Sequence, residues 1–242
     1  MADDNQFLKY SRYALGEIVL VVIGILIALQ INDWNEARLA RVEEKRILSN
    51  LHEEFQKNRV LLDSCISDNQ NAFSNMKMIM ELIATSHSEV IEEQTEPFKF
   101  DQLLFHSFEH QNFFPSQHSL NELTQSGKMQ YLKNDKLKSI LYRWSSALDT
   151  SKEGFAGVDQ KVEYEILPYL TKKYPLKDMD QYGPLAWKEG SRLSSNKTAI
   201  LKELEFENLI DDNMYRLNEF LLSLYEIRDL IEDVLEETSQ YD

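Results

Sequence analysis

The twelve apolar residues from Ile18 to Leu29 constrain this chain more than any other feature, because a helix so uniformly apolar needs burial on every face. At about 1.5 Å per residue the run makes only about 18 Å of helix, short of a hydrocarbon core of about 30 Å. Extending the helix from Tyr13 to Trp34 gives about 33 Å. Tyr10 and Tyr13 then stand at one end and Trp34 at the other, where interfacial aromatics prefer to sit. The sequence therefore predicts a tail over 1–12, a transmembrane helix over 13–34 and a helical domain over 35–242.

Insertion is favoured energetically. The Ile, Leu and Val residues of the run each contribute about −0.3 to −0.6 kcal/mol, against about 2.5–3.5 kcal/mol for one charge at mid-membrane. Glu17 lies about 10 Å from a midplane near Gly24, within reach of an interface. A signal peptide is the main competing reading, since Lys9 and Arg12 precede the run, but Ala28-Leu29-Gln30-Ile31-Asn32-Asp33-Trp34 offers no small-x-small cleavage pattern. The core helix of a soluble domain is the other.

One face of the helix is chemically distinct. Steps of four and three from Glu17 reach Val21, Gly24, Ala28, Ile31 and Asn35, aligning a carboxylate, a small-x-x-x-small pair and an amide. Glu17, Gly24, Ala28 and Asn35 are the candidate helix-association face, for a second copy or another membrane protein. The plainer reading is that Glu17 reaches toward headgroups. A proton pathway is sharper, but one helix encloses a path only by oligomerising.

The rest of the chain reads as helix. Seven glycines and five prolines in 242 residues are too few to punctuate a many-stranded sheet. The net charge is −15, and thirteen acids face only Arg216 and Arg228 between Glu203 and Asp242, a field that excludes nucleic acid as a partner. Cys65 is the single cysteine, so no disulfide forms within one chain.

Apolar residues at helical spacing from Leu39 and Val42 to Ile83 predict one long amphipathic helix after the anchor, with a bend at Ser67-Asp68-Asn69-Gln70-Asn71 and a loop over 86–96. A helix over Phe98–Gln111 follows, ended by Pro115. Ser119-Leu120-Asn121-Glu122 reads as a capping box, Gly127 as a stop and Asn134 as the cap of a long third helix opened by Leu137, Ile140, Leu141, Trp144 and Leu148. Gly154 and Gly157 weaken that helix and Pro168 kinks it. Tyr174–Lys197 is irregular. The last helix, Thr198–Glu237, carries a coiled-coil-like seam of Ile210, Met214, Leu217, Leu221, Leu224, Arg228, Ile231 and Leu235, broken once by Arg228, with Phe220, Ile227 and Val234 widening it into a bundle face. The expected fold is all-α: an N-terminal transmembrane helix continuing into an antiparallel helical bundle.

The stretch YALGEIVLVVIGILIALQINDWNE, Tyr13 to Glu36, resembles the N-terminal signature of an uncharacterised family of small bacterial membrane proteins. LNELTQSGKMQYLKNDKLKSIL from Leu120 and FENLIDDNMYRLNEFLLSLYEIRDLIEDVLEE from Phe206 are similar to it as well. The resemblance implies a single-pass inner-membrane protein with an all-helical domain and no established activity. Members of this kind begin with a strongly basic segment, whereas here Lys9 and Arg12 sit beside Asp3 and Asp4.

Catalytic signals are sparse. His106 and His110, spaced i, i+4 on the expected second helix, are weak metal candidates beside Glu109, but Phe105, Phe108, Phe113 and Phe114 mark an aromatic packing element. No Glu-x-x-His, nucleophile elbow or phosphate loop occurs. No cofactor is expected. Arg38, Arg41, Lys45 and Arg46 after the anchor favour a cytoplasmic domain when counted alone, but long domains translocate largely regardless of charge, and with the resemblance this favours a periplasmic bundle. The functional expectation is a membrane-anchored scaffold or assembly component acting through protein contacts, not an enzyme; the alternative is a ligand-sensing bundle with a separate signalling partner.

Overall fold

The computed structural model describes residues 4–86, 97–193 and 196–241, with the side chains of 4–14, 97–99 and 241 outside that description. Helix α1 spans Asp4–Thr85 without a break, followed by α2 (Pro97–Ser107), α3 (His118–Gln125), α4 (Asp135–Lys161), a π turn (Val162–Ile166), α5 (Leu167–Lys173), α6 (Leu176–Met179) and α7 (Leu204–Thr238). The chain is all-α, and no strand occurs among the described residues.

The bundle is built on α7, which lies antiparallel between α1 and α4. Thr238 meets His52 and Asn213 meets Met76 on α1, while Glu237 meets Lys136 and Asp212 meets Lys161 on α4. The C-terminal helix thus returns toward the apolar run. Phe55 and Trp144 bring α1 and α4 together with ring centroids 4.8 Å apart, both side chains fully buried. Burying each such ring contributes about 1.5–3 kcal/mol.

The buried residues of α7 step by four and three along Phe206, Ile210, Asn213, Leu217, Phe220, Leu224, Ile227, Ile231, Val234 and Thr238. This corrects the expected seam at Met214 and keeps its break at Arg228. Met214 is only half-buried and Arg228 is exposed, its guanidinium 5.0 Å from the Tyr225 ring. Seven residues divide equally well as four plus three or three plus four, so periodicity alone did not choose between Asn213 and Met214; the contact with Met76 did. Asn213 leaves its Oδ1 buried without a partner and donates only to a thioether, 3.2 Å away. Asn213→Leu is therefore expected to raise stability by about 1–2 kcal/mol, since removing an orphaned buried acceptor relieves its desolvation cost. Thermal melts of the full chain in mild detergent check this; a lowered Tm would show that the amide has an essential partner.

Helix α1 runs unbroken through Ser67–Asn71. Ser67, Asp68, Gln70 and Asn71 face solvent, while Asn69 is fully buried with its Nδ2 on the Cys65 carbonyl one turn back, 2.8 Å. Asn69 also exchanges two hydrogen bonds with the backbone of Gln111, at 2.8 and 3.2 Å, and Asn58 does the same with Ser116, both at 2.8 Å. These two side chains supply the backbone partners that the irregular segment 109–117 lacks within itself. That docking ends α2 at Ser107, four residues before the expected Gln111.

The capping box is not formed. Helix α3 starts at His118, and the amide of Ser119 is capped by Glu54 on α1, 2.6 Å, with Ser119 Oγ turned to the Asn50 carbonyl at 3.5 Å. A tertiary carboxylate at the helix N-terminus displaced the local one. Gly127 at φ +70° ends this element, and Asn134 accepts from the Leu137 amide at 3.1 Å to start α4, both as expected. Gly154 does not interrupt α4. An added Cβ would stand 3.4 Å from Phe220 Cα, so its bareness lets α4 and α7 close. Pro168, lacking an N–H for the Tyr164 carbonyl, is absorbed by the π turn just before it.

Candidate functional site

From Leu15 to Leu39 every side chain of α1 is exposed, and burial against the bundle begins only near Ile47. The helix thus presents its apolar run to whatever surrounds the protein. Glu17, Gly24, Ala28 and Asn35 fall within about 40° of one another around the axis, spread over about 27 Å. Nothing stands within 4 Å of the place where a Gly24 side chain would grow, so a second helix has open access to the backbone there. Asn35 accepts a 3.4 Å bond from Arg38, and Asn32 donates to Glu36 at 2.9 Å, one turn along. Trp34 is exposed beside them; Tyr10 and Tyr13 continue the same helix, with their side chains outside the description. Among the described residues, one helix is long and apolar enough to cross a membrane.

The histidines are not brought together on one helical face. Helix α2 ends before His110, so the expected i, i+4 geometry is lost. His106 Nδ1 pairs with Glu109 at 2.5 Å, whereas His110 points elsewhere, with Nδ1 on the Phe108 carbonyl at 3.0 Å and Nε2 near Asp159 at 3.3 Å. Its ring packs 5.3 Å from Phe155, in the aromatic layer that Phe220 continues. Among the described residues no group of three His, Cys, Asp or Glu side chains is placed to hold a metal ion. Cys65 is buried and hydrogen-bonded to the Gln111 carbonyl, and burial pushes its thiol up to about 11, the opposite of what a nucleophile needs.

Two partly buried ionic clusters escaped the sequence reading. At the end of the bundle far from the apolar run, Lys197 Nζ lies 2.6 Å from Asp101 Oδ2 and 2.8 Å from Asp178 Oδ2, with the Tyr174 hydroxyl donating to Asp101 and the Ser191 amide to Asp178. Burial opposes the charge on Lys197, but the two carboxylates outweigh it and hold the lysine above its ordinary value. Burial and Asp101 together push Tyr174 up, so the phenol stays a neutral donor. At the π turn, Lys161 reaches Glu165 at 2.6 Å and Asp212 at 2.7 Å. In each cluster every charged member has a partner, and the geometry is that of a clasp on the chain. Lys161 and Glu165 share a local i, i+4 spacing, but Asp212 lies far along the chain and Asp101 stands 96 residues from Lys197, so local spacing announced neither cluster as a whole.

A cleft between α1 and α3, beside Asn50, Ser119 and Leu123, encloses about 10 Å³. That holds about one water molecule. The prominent chemistry is therefore the uncovered face of α1, and that helix is where comparison with other proteins begins. The profile of a family of unknown function, DUF6090, matches residues 17–146, more than half of the chain. This chain belongs to the DUF6090 family. The match starts at Glu17, takes in the apolar run, the two asparagine-docked contacts and the start of α4, and leaves α7 outside. The matched range takes in Glu17–Glu36 of the first resembling stretch and the whole of the second. No curated protein and no solved structure matches the chain.

Proposed function

We propose that this member of the DUF6090 family is a membrane-anchored helical scaffold or assembly component. It crosses a bacterial inner membrane once through residues 13–34, carries its bundle in the periplasm and works through protein contacts without catalysis. The observation that supports this reading is the exposure of every side chain from Leu15 to Leu39: about 25 cal/mol per Å² of apolar surface left in water is a cost that lipid or a partner helix removes. Along that helix, Glu17, Gly24, Ala28 and Asn35 make the face best suited to a second copy of the chain or another membrane protein. Small residues let backbones approach, and the carboxylate is satisfied across the contact.

Gly24→Leu is expected to abolish association, leaving a monomer in mild detergent where the native chain is oligomeric or partner-bound, while both forms resist carbonate extraction from membranes. Glu17→Gln, which keeps hydrogen bonding, is expected to preserve assembly. Size-exclusion chromatography with light scattering reads the assembly. A native chain that is monomeric without a co-purifying membrane partner would sink the association face, and recovery of the native chain in the carbonate supernatant would sink the anchor itself.

A further inference from the structure

Just beyond Trp34 the exposed helix carries Arg38, Arg41 and Lys45, at steps of four, three and four. The four side chains fall within about 60° around the axis. Asp33 and Glu36 lie on other faces. Neighbouring charges that turn toward the bundle are all paired: Glu43 with Lys128 at 2.9 Å and Arg46 at 2.8 Å, Glu44 with Lys133 at 3.4 Å, and Arg46 again with Glu122 at 3.1 Å. Arg38, Arg41 and Lys45 have no carboxylate partner among the described residues, although the chain carries a net charge of −15. Three cations in line stay unpaired in a protein with acids to spare.

Their direction is equally specific. Helical side chains lean toward the N-terminus, here toward the apolar run. Arg38 extends back to Asn35 Oδ1 at 3.4 Å, and Arg41 back to the Ala37 carbonyl at 3.1 Å. Both guanidinium groups therefore sit within about 5 Å of the level of Trp34 along the axis. A headgroup layer is about 5–8 Å deep on each side of the hydrocarbon. With Trp34 at the interface, Arg38 and Arg41 lie at the depth of the lipid phosphates and Lys45 lies just above it. Glu43 and Glu44, the bundle-side acids nearest this stripe, are engaged by Arg46, Lys128 and Lys133, which lessens their pull on it.

On the anchor reading given above, we infer that Arg38 and Arg41, assisted by Lys45, form a binding site for the phosphate of anionic phospholipids against the Trp34 end of the spanning helix. Guanidinium groups suit phosphate because they donate in a planar fork. The site selects anionic over zwitterionic headgroups and fixes the depth and rotation of the helix. It thereby decides which way the face of Glu17, Gly24 and Ala28 points.

The test uses the full chain in vesicles of phosphatidylcholine containing either spin-labelled phosphatidylglycerol or spin-labelled phosphatidylcholine, reading the motionally restricted lipid by electron paramagnetic resonance. The native chain is expected to prefer phosphatidylglycerol, by up to about fivefold for each basic residue at the surface. High salt should reduce this preference. Arg38→Gln with Arg41→Gln should bring it close to onefold, whereas Arg46→Gln, on the bundle side, should leave it unchanged. Restricted lipid without a headgroup preference, or a preference that survives the double substitution, would overturn the phosphate site alone. No restricted lipid of either kind would overturn the anchor and the site together. If the double variant keeps its lipid preference but loses a co-purifying acidic protein, the stripe is a protein contact and the inference fails.

Discussion

Lys197→Met is expected to destabilise the protein by about 3–5 kcal/mol, the range for removing one partner from a buried ion pair. The substitution leaves Asp101 and Asp178, both almost fully buried, facing each other's charge across the vacated position. At about 2–4 °C per kcal/mol for a domain of this size, Tm should fall by about 6–20 °C at pH 7. The loss should shrink in acid. Burial works to raise the Asp178 carboxyl, but the ammonium of Lys197 and the amide of Ser191 outweigh it and hold the group below the ordinary aspartate value. A depressed folded-state value contributes stability that is fully present above the unfolded value, about 3.9, and is lost as pH falls through the folded value. Native and variant melting curves, well separated at pH 7, should therefore converge below about pH 4. Combining Lys197→Met with Asp101→Asn and Asp178→Asn should recover most of the loss. A variant that melts within 2 °C of the native chain at pH 7 would mean that the clasp is solvated and contributes little.

Asn69→Leu is expected to cost about 2–3 kcal/mol, because the Gln111 amide loses its acceptor and the Gln111 carbonyl keeps only the weak Cys65 thiol as a donor. Asn58→Leu should cost about as much through Ser116. The two asparagines are about 16 Å apart along α1, far enough for their effects to add. The double variant should therefore lose about 4–6 kcal/mol and release segment 109–117, visible as rapid hydrogen exchange there while α7 remains protected. Asn71→Leu, on the solvent face of the same helix, should change stability by less than about 0.5 kcal/mol. If the double variant exchanged no faster over 109–117, the segment would be held by its aromatic contacts instead of the amides.

The local features legible in the sequence are those that one or two turns of chain decide. The uninterrupted α1 after Gly24, the stop at Gly127, the Asn134 cap and the disturbance before Pro168 each follow from a single residue's backbone chemistry. Glu17, Gly24, Ala28 and Asn35 share a face because helical geometry requires it, and nothing in the bundle competes for them.

What the sequence determined by itself is an all-helical chain with an apolar segment that the rest of the molecule does not cover. Hydrophobic periodicity and the scarcity of glycine and proline act over short distances and need no tertiary context. Only the tertiary structure decided the register and the polar contacts. The seam of α7 passes through Asn213 and Ile227 because α1 and α4 press on it from two sides, and helical arithmetic permits either neighbour. Glu54 took the end of α3 from the capping box, and Asn69 made the polar stretch of α1 a docking point. A buried amide or carboxylate left without a partner is costly, and the partners found by Asn69 at Gln111 and by Asp101 at Lys197 lie 42 and 96 residues away in the chain.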